Sequence, residues 1–303
     1  MGATWIDLLD PTMDELRENA PRELEETAIV QMLAPPQHED EPRPTLQGHG
    51  DYVFGVFLVA VSVPEDDSVY YQEIDMVLTH DTLLTVRKTP PKGRPACDVD
   101  TVKKAAKPSD STGLLAYRLL DEIAERYLDL VDSLDDEIDE LEDKVDTQPA
   151  PTTRARVSAL RHDLLHIRRT LSPMRDSVRR VIDGTVEVEQ GPQVFPRSVE
   201  VAFNAAYDKF LRASDGLDLA RDLLGGVRDY SLAKIANDQN EVTKRLTVIA
   251  SLLLVPTFIV GLYGQNFTDI PELRWRFGYG YVWGLIIVTT ALQLWYYRRK
   301  HWI

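Results

Sequence analysis

Two long stretches near the C-terminus contain no charged residue, and they constrain this chain more than any other feature. They are Leu246–Thr268, of 23 residues, and Phe277–Tyr297, of 21 residues. A helix that crosses a bilayer needs about 20 mostly apolar residues at about 1.5 Å each. The two stretches therefore predict a membrane hairpin, with a first span at about residues 246–264 and a second span at about residues 279–297.

The charges that flank the two spans predict the orientation of the hairpin. Lys244 and Arg245 precede the first span, and Arg298, Arg299 and Lys300 follow the second. Basic segments next to membrane spans stay in the cytoplasm. We therefore expect a multi-pass protein of the cell membrane (inner or plasma) with both termini in the cytoplasm and the lipid bilayer as one partner.

The charge of the remaining chain limits the partners that it can have. Residues 241–303 carry seven Lys or Arg and three Asp or Glu, which is a net charge of +4. Because the whole chain has a net charge of −15, the first 240 residues have a net charge of −19. Such an acidic body repels nucleic acid and is compatible with divalent cations as ligands. Cys97 is the single cysteine, so no intrachain disulfide can form and a reducing compartment fits.

The pattern along the chain predicts four parts. In the first part, Tyr52–Val63 and Val69–Lys88 are rich in β-branched and aromatic residues and indicate strands, whereas the Pro- and Gly-rich segment Pro35–Gly50 indicates a surface loop. The strand order cannot be predicted. The predicted parts are an α/β domain over 1–112, an acidic and basic helical pair over 113–195, a stalk helix over 196–245 and a transmembrane pore domain over 246–303.

Three long helices follow from apolar spacing and from the positions of proline and glycine. They are Leu114–Val145, Thr152–Ile182 with a bend expected at Pro173, and a helix capped by Ser198 that runs to Tyr263. The last of these is far longer than a usual globular helix and predicts a stalk that continues directly into the first span. The fold class is thus an α+β membrane protein with a cytoplasmic α/β domain, a long stalk helix and a two-span C-terminal hairpin.

A single hairpin leaves no lumen, so conduction would require several copies around a common axis. One face of the first span and the preceding stalk is small or polar, with Leu254 as its bulky apolar ring and Leu246 at its border. Such a face suits a pore for hydrated ions that closes by dewetting, and it equally suits close helix packing. The predicted pore-lining residues are Asn240, Thr243, Leu246, Thr247, Ala250, Leu254, Thr257 and Gly261.

The stretch Asn240–Tyr279 resembles the CorA family of magnesium channels. It contains YGQNF at the end of the first span, a Pro-Glu-Leu loop (Pro271 to Leu273) and the second span with its basic tail RRKHWI. The family signature is Gly-Met-Asn, whereas this chain has Gly264, Gln265 and Asn266. More loosely, the resemblance covers the whole order of α/β domain, acidic helices, stalk and hairpin.

The resemblance implies a homopentamer that transports Mg²⁺, and Co²⁺ or Ni²⁺ as further candidates, with Asn266 as the ring that meets the hydrated ion. Gly264 would offer carbonyl oxygens beside that ring, and Gln265 would support the loop. Glu272 in the outer loop would attract cations, or it would form an ion pair with Arg274 or Arg276. Asn266 has a plainer interpretation as a helix C-terminal residue.

The resemblance also implies that cytosolic Mg²⁺ bound between subunits holds the pore shut. Residues 121–146 contain thirteen Asp or Glu against Arg126 and Lys144, and the next helix is rich in arginine. Repulsion among the acids favours divalent counter-ions, but antiparallel pairing of the two helices would neutralise much of both. Asp229 is a candidate for an acidic ring at the cytoplasmic entrance, or else a solvated stalk carboxylate.

Enzyme functions have little support in the sequence. No GxxxxGK[ST] string indicates ATP coupling, and no organic cofactor is expected. His162 and His166 imitate a zinc-protease helix, but an i, i+4 histidine pair on a solvated helix is the better interpretation. Three functions remain: a passive magnesium channel gated by Mg²⁺, a zinc-transporting relative in which transport could be proton-coupled, and a non-conducting cation sensor tethered to the membrane.

Overall fold

The computed structural model describes residues 2–36, 41–63, 68–90, 96–188, 192–266 and 270–302. These form two compact units, residues 1–228 and residues 229–303. The four predicted parts are a finer division of the chain and remain a prediction.

The first unit contains a five-stranded sheet with the order β1-β5-β4-β3-β2. Strand β1 pairs with β5 in parallel, and the other neighbours are antiparallel. Helix α4 packs on one face of the sheet, where Tyr127 is fully buried and its hydroxyl donates to the carbonyl of Leu58 at 3.2 Å. Leu16 of α1 and Met32 of α2 are buried on the other face. The strands are β1 Thr4–Leu9, β2 Thr45–His49, β3 Tyr52–Val63, β4 Ser68–Leu78 and β5 Thr82–Arg87.

The three long helices are confirmed to within two residues of the predicted ends. Helix α5 runs through Pro173 without interruption, and the Ser177 hydroxyl donates to the Pro173 carbonyl at 2.8 Å. Helix α6 contains 67 residues and begins at Arg197, so Ser198 lies inside its first turn and is not the cap. The helices are α1 Met13–Asn19, α2 Glu26–Leu33, α3 Asp100–Ala105, α4 Thr112–Lys144, α5 Ala150–Ile182, α6 Arg197–Tyr263 and α7 Gly278–Arg299.

One prediction about the α/β region is wrong. The predicted surface loop Pro35–Gly50 contains strand β2, because Leu46 is buried in the core; residues 37–40 of that loop lie outside the described residues. The predicted strand-like segment Val69–Lys88 forms two strands, β4 and β5, separated by a turn. The Thr79 hydroxyl stabilises this turn by donating to Asp81 Oδ1 at 2.8 Å and accepting the Thr82 N–H at 3.2 Å.

A buried charged cluster lies between β4, the end of β5 and α2. The Lys88 ammonium donates to Glu73 Oε1 and to the Gln31 carbonyl, both at 2.6 Å, and lies 3.4 Å from Asp75 Oδ2. Asp75 is wholly buried. Its burial, followed by the charge of Glu73, raises the pKa of the Asp75 carboxyl well above its ordinary value. The Lys88 ammonium thus balances Glu73, and the protonated form of Asp75 is favoured relative to an exposed aspartate.

The folded protein should lose less stability at alkaline pH when Asp75 is replaced by asparagine (Asp75→Asn). Because the pKa of Asp75 is raised in the folded state, its stabilising contribution is complete below the ordinary carboxyl pKa and is lost as pH rises through the raised value. Asparagine stays neutral throughout. The check is the thermal midpoint of the full chain in detergent, measured in steps from the ordinary carboxyl pKa up to alkaline pH.

Asp81→Asn is the matched control for this prediction. A hydrogen bond from Thr79 lowers the pKa of the exposed Asp81 carboxyl, so its contribution is lost only as pH falls through the lowered value. The alkaline slope of Asp81→Asn should therefore equal that of the parent. An unchanged alkaline slope in Asp75→Asn would contradict the raised pKa of the Asp75 carboxyl.

Candidate functional site

The second unit is built around contacts between the C-terminal part of α6 and helix α7. The Ser251 hydroxyl and the Tyr297 hydroxyl are 2.7 Å apart, and Gln293 Nε2 donates to the Ser251 carbonyl at 3.2 Å. Val248 and Ile259 of α6 are buried on the same side. These two contacts and the two buried side chains define the side of α6 that faces α7.

The predicted pore-lining residues lie on the opposite side of α6. At 3.6 residues per turn, they fall about half a turn around the helix from Val248 and Ile259. All are exposed in the single chain, and Leu254 is 68% exposed. Helix α7 therefore leaves this face, the polar face, open to other copies of the chain. Its members are Asn240, Thr243, Leu246, Thr247, Ala250, Leu254, Thr257 and Gly261.

The threonine hydroxyls on the polar face donate their protons to their own helix. Thr243 donates to the Gln239 carbonyl at 2.8 Å, Thr247 to the Thr243 carbonyl at 2.8 Å and Thr257 to the Leu253 carbonyl at 2.7 Å. A hydroxyl whose one proton is already donated in a hydrogen bond can only accept further hydrogen bonds. The polar face thus presents acceptor oxygens outward, which suit the water molecules around a cation.

A bulky apolar flank lies beside the polar face. Ile249, Leu253 and Val260 are 57%, 65% and 58% exposed. Among the described helices, α6 alone is long and apolar enough by length and composition to cross a membrane. Helix α7, the predicted second span, has no charged residue before Arg298, but its Tyr, Trp and Gly residues make it less apolar.

The Gly264–Gln265–Asn266 motif directly follows the last residue of α6. All three residues are exposed. The Gly264 N–H donates to the Val260 carbonyl at 2.8 Å, and a Cβ at residue 264 would lie only 2.9 Å from that carbonyl oxygen. With a larger residue at position 264, the backbone at the end of α6 would therefore have to move. Glycine at this point lets the chain leave α6 immediately before Asn266.

The outer connector ends in a compact turn. Pro271–Arg274 forms a 3₁₀ helix that contains the partly exposed Glu272. The Trp275 N–H donates to the Glu272 carbonyl at 3.2 Å, and the Gly278 N–H donates to the Trp275 carbonyl at 3.1 Å. Helix α7 therefore starts directly against the turn that carries Glu272.

Gly278→Ala should displace this turn. A Cβ at residue 278 would lie 2.2 Å from the Glu272 carbonyl oxygen, so the backbone must move. Forced overpacking costs about 1–3 kcal/mol. We expect a lower thermal midpoint and reduced ion uptake in liposomes. In Gly280→Ala the added Cβ meets no atom within 4 Å, and this variant should behave as the parent does. Equal behaviour of both variants would contradict the packing described.

The acidic and basic helices do not neutralise each other as predicted. Across α4 and α5, one ion pair is described, between Arg156 and Glu137. Most of the other arginines and carboxylates of the two helices lie on exposed faces, because the apolar stripes of the helices face the core and turn the charges outward. Asp229 is also exposed, on α6. Its role at a pore entrance remains a prediction.

The histidine pair on α5 is only half solvated, contrary to the prediction. His162 is exposed, but His166 Nε2 lies 3.0 Å from Glu41 Oε2, and its ring packs edge-on against Tyr71 with 4.8 Å between centroids. No three His, Cys, Asp or Glu residues in the described ranges could jointly hold a metal ion.

The chain combines three features: an α/β unit, a helix long enough to reach into a membrane, and an outward polar face that ends next to an amide. These features are those of a membrane ion transporter. The chain belongs to the CorA-like Mg²⁺ transporter protein family, whose model matches residues 2–299. This confirms the resemblance found in Asn240–Tyr279, and members of this family are ion transporters, not enzymes.

Several relatives cover most of this chain. The cobalt/magnesium transport protein CorA of Thermotoga maritima is 30% identical over 270 residues, which are 86% of this chain and 73% of the relative. The protein of the same name from Methanocaldococcus jannaschii is 24% identical over 306 residues, 99% of this chain and 91% of the relative.

Solved structures confirm the fold. The complete structure of the CorA magnesium transporter from M. jannaschii matches with a TM-score of 0.78 at 22% identity, over 99% of this chain and 91% of that chain. The ZntB cytoplasmic domain from Vibrio parahaemolyticus matches with a TM-score of 0.58 at 16% identity, over 78% of this chain and 90% of that chain. At these identities the likeness concerns the fold alone.

Two features of the site were missed by sequence reasoning. The Ser251–Tyr297 and Gln293–Ser251 contacts join the two helices through polar groups that the apolar pattern does not reveal. The close approach of Gly278 to Glu272 depends on a turn that folds back on α7. The only sequence signal for it is a glycine shortly after the Pro-Glu-Leu loop.

Proposed function

We propose that five copies of this chain form a passive Mg²⁺ channel in the cell membrane, with the polar face of α6 around a central water-filled path. The single observation that carries this proposal is the position of that face, on the side of α6 opposite α7 and ending next to Asn266. A hairpin in which α7 covered the polar face could not line a pore.

The Asn266 amides form the outer ring of the channel. Mg²⁺ loses its water reluctantly and prefers to keep several water molecules. A neutral amide oxygen accepts a hydrogen bond from such a water molecule without stripping it, whereas a carboxylate ring would hold the ion and slow its exit. Gly264 offers carbonyls beside this ring, Gln265 supports the loop and Glu272 attracts cations to it.

Below the ring, the hydrated ion passes the threonines and the Leu254 constriction. Thr243, Thr247 and Thr257 accept hydrogen bonds from its water shell because their own protons are bound to backbone carbonyls. Leu254 supplies the apolar ring at which the path dewets and closes. Both termini are cytoplasmic, so the membrane potential drives uptake with about 4.6 kcal/mol per divalent ion at 100 mV.

Cytosolic Mg²⁺ bound between neighbouring copies holds the channel shut. In one chain, no group of three potential ligands lies together among the described residues, so a regulatory site needs carboxylates from more than one copy. The acidic exposed face of α4 and Asp229 provide such carboxylates. Mg²⁺ is thus both cargo and regulator.

Zinc transport is the second candidate, because Gln265 replaces the methionine of the family signature. The experiment is uptake of Mg²⁺ and Zn²⁺ into liposomes with dye readout, with and without a pH gradient. The magnesium channel predicts Mg²⁺ uptake that needs no pH gradient. Zinc uptake that exceeds Mg²⁺ uptake and follows the pH gradient would favour the second candidate, and no uptake of either ion would favour a non-conducting sensor.

A further inference from the structure

Five aspartates form a continuous stripe on the exposed side of α4. Their spacing alternates between three and four residues, which keeps them on one face of a helix. All five are exposed, and none has an ion pair within the residues that the structure describes. We name this set the aspartate stripe. It consists of Asp129, Asp132, Asp136, Asp139 and Asp143.

The aspartate stripe has no described ion pair to a Lys or Arg of its own chain. Asp135 lies at its edge, and burial, followed by the charges of Asp132, Asp139 and Asp136, raises the pKa of its carboxyl. The described cations of α4 and α6 near these residues in sequence or on the facing helix pair with other acids: Arg126 with Glu122, Lys144 with Glu140, and Lys209 with Asp121 and Glu125. Mutual repulsion along the stripe is therefore left uncompensated.

Helix α5 carries a stripe of the opposite charge and the same period. Arg154, Arg161 and Arg168 are spaced by seven residues and are all exposed. We name these three residues the arginine stripe. Each stripe spans fourteen residue steps, or about 21 Å of helix. Matched length and period are what allow two helices to place opposite charges beside one another along a shared seam.

The two stripes do not meet inside one chain. Arg168 pairs with Asp218 of α6 at 3.0 Å, and for Arg154 and Arg161 the described residues provide no ion-pair partner. The single described pair across α4 and α5 joins Arg156 to Glu137, which belong to neither stripe. The aspartate stripe lies opposite the apolar face that α4 buries in the core, and the arginine stripe lies about a third of a turn from the buried face of α5.

We propose that the aspartate stripe of one copy docks against the arginine stripe of the next copy around the ring. This inference rests on the homo-oligomer of the proposed function. In a ring, one surface of each copy meets a different surface of its neighbour, so two unlike stripes are what such a contact requires. Five aspartates facing three arginines leave a negative excess along the seam, which keeps it able to hold divalent cations.

The charges of the seam determine which helix of the neighbouring copy is bound, and in which register, more than they determine the affinity of the contact. Exposed pairs contribute only about 0.2–1 kcal/mol each and are screened by salt. Complementary stripes also exclude the wrong contact, because two aspartate stripes brought together would repel each other. The seam thus specifies which helix of the neighbour each α4 meets.

The test joins the centres of the two stripes in the full-length chain. Asp136→Cys and Arg161→Cys are made separately, each with Cys97→Ser and its own affinity tag, and the two variants are co-expressed. A short bis-maleimide is added to membranes, and the tags are purified in succession. We expect a covalent dimer that carries both tags, with at least a tenfold lower yield from either variant expressed alone.

Ala155→Cys paired with Asp136→Cys is the matched control. Ala155 is exposed and next to Arg154, but it lies about 100° around α5 from the arginine stripe. We expect at least a fivefold lower dimer yield than with Arg161→Cys. Equal yields from the two pairs, or a dimer formed as readily by Asp136→Cys alone, would overturn the proposed seam.

A charge exchange provides a second arm. In this arm the oligomer is cross-linked through its native lysines. The double variant Arg154→Glu, Arg161→Glu should give a lower yield of cross-linked oligomer. Adding Asp132→Arg and Asp139→Arg to that variant should restore the yield. Failure of the exchange to restore the yield would count against the seam. If the stripes instead bind only free cations or lipid, the complex keeps its native mass without the tagged dimer. A monomeric native mass would remove the proposed function as well.

Discussion

Asn266→Ala should abolish Mg²⁺ uptake into liposomes. The residue is exposed directly after α6 and Gly264, where five copies would form a ring of amides. A hydrogen bond is worth about 1 kcal/mol net. Since each 1.36 kcal/mol is a factor of ten in rate, the loss of a five-membered ring should reduce uptake by roughly a hundredfold or more.

Two variants control this result. Asn237→Ala removes an amide from α6 outside the polar face and should leave uptake within about twofold of the parent. Gln265→Met restores the family signature next to Asn266 and should retain uptake, because this position supports the loop. Native mass is measured for each variant. Normal uptake by Asn266→Ala in an intact oligomer would exclude the amide ring.

Leu254→Ser should leave the channel unable to close. Leu254 is the bulky apolar residue of the polar face, and its side chain is 68% exposed in the single chain. An apolar constriction closes a pore by dewetting, so a serine ring would stay hydrated. We expect uptake that persists at high internal Mg²⁺, where the parent is shut. A change of about 1.4 kcal/mol in the barrier corresponds to a tenfold higher residual rate.

Ile249→Ser is the control for this prediction. Ile249 is 57% exposed and lies on the apolar flank, more than a quarter of a turn from the centre of the polar face. Its replacement by serine should therefore cost stability without opening the channel. A leak of equal size in both variants would show that Leu254 is not the constriction, whatever the effect on the thermal midpoint.

The helices could be predicted well because their signals are local. Apolar spacing and the prolines near residue 150 and at Pro196 bound α4, α5 and α6 within two residues. The polar face followed from the three- and four-residue spacing on α6. Its position relative to α7 could not be predicted, since it depends on contacts such as Ser251–Tyr297 between residues far apart in the chain.

The sheet was harder to predict for physical reasons. Strand β1 is an edge strand with partly exposed residues, and β2 buries only Leu46, so neither shows a clear apolar pattern. Glu73, Asp75 and Lys88 look like surface residues in the sequence, because charged side chains are seldom buried. Their burial becomes visible only when β4, β5 and α2 are brought together.

The charge pattern led to a wrong prediction about α4 and α5. The acidic helix and the arginine-rich helix are neighbours in the chain, so we expected their charges to neutralise each other within one hairpin. The apolar stripes of α4 and α5 decide otherwise, because burying them turns most of the acids and arginines outward. The unbalanced charge on each helix thus becomes available to neighbouring copies.

The native mass of the complex extracted in mild detergent tests the central claim most directly. A channel lined by one helix from each copy requires a ring, and we expect a protein mass equal to five chains of 34.4 kDa each. A stable monomer or dimer that still reconstitutes Mg²⁺ uptake would contradict the account, since two hairpins cannot enclose a water-filled path.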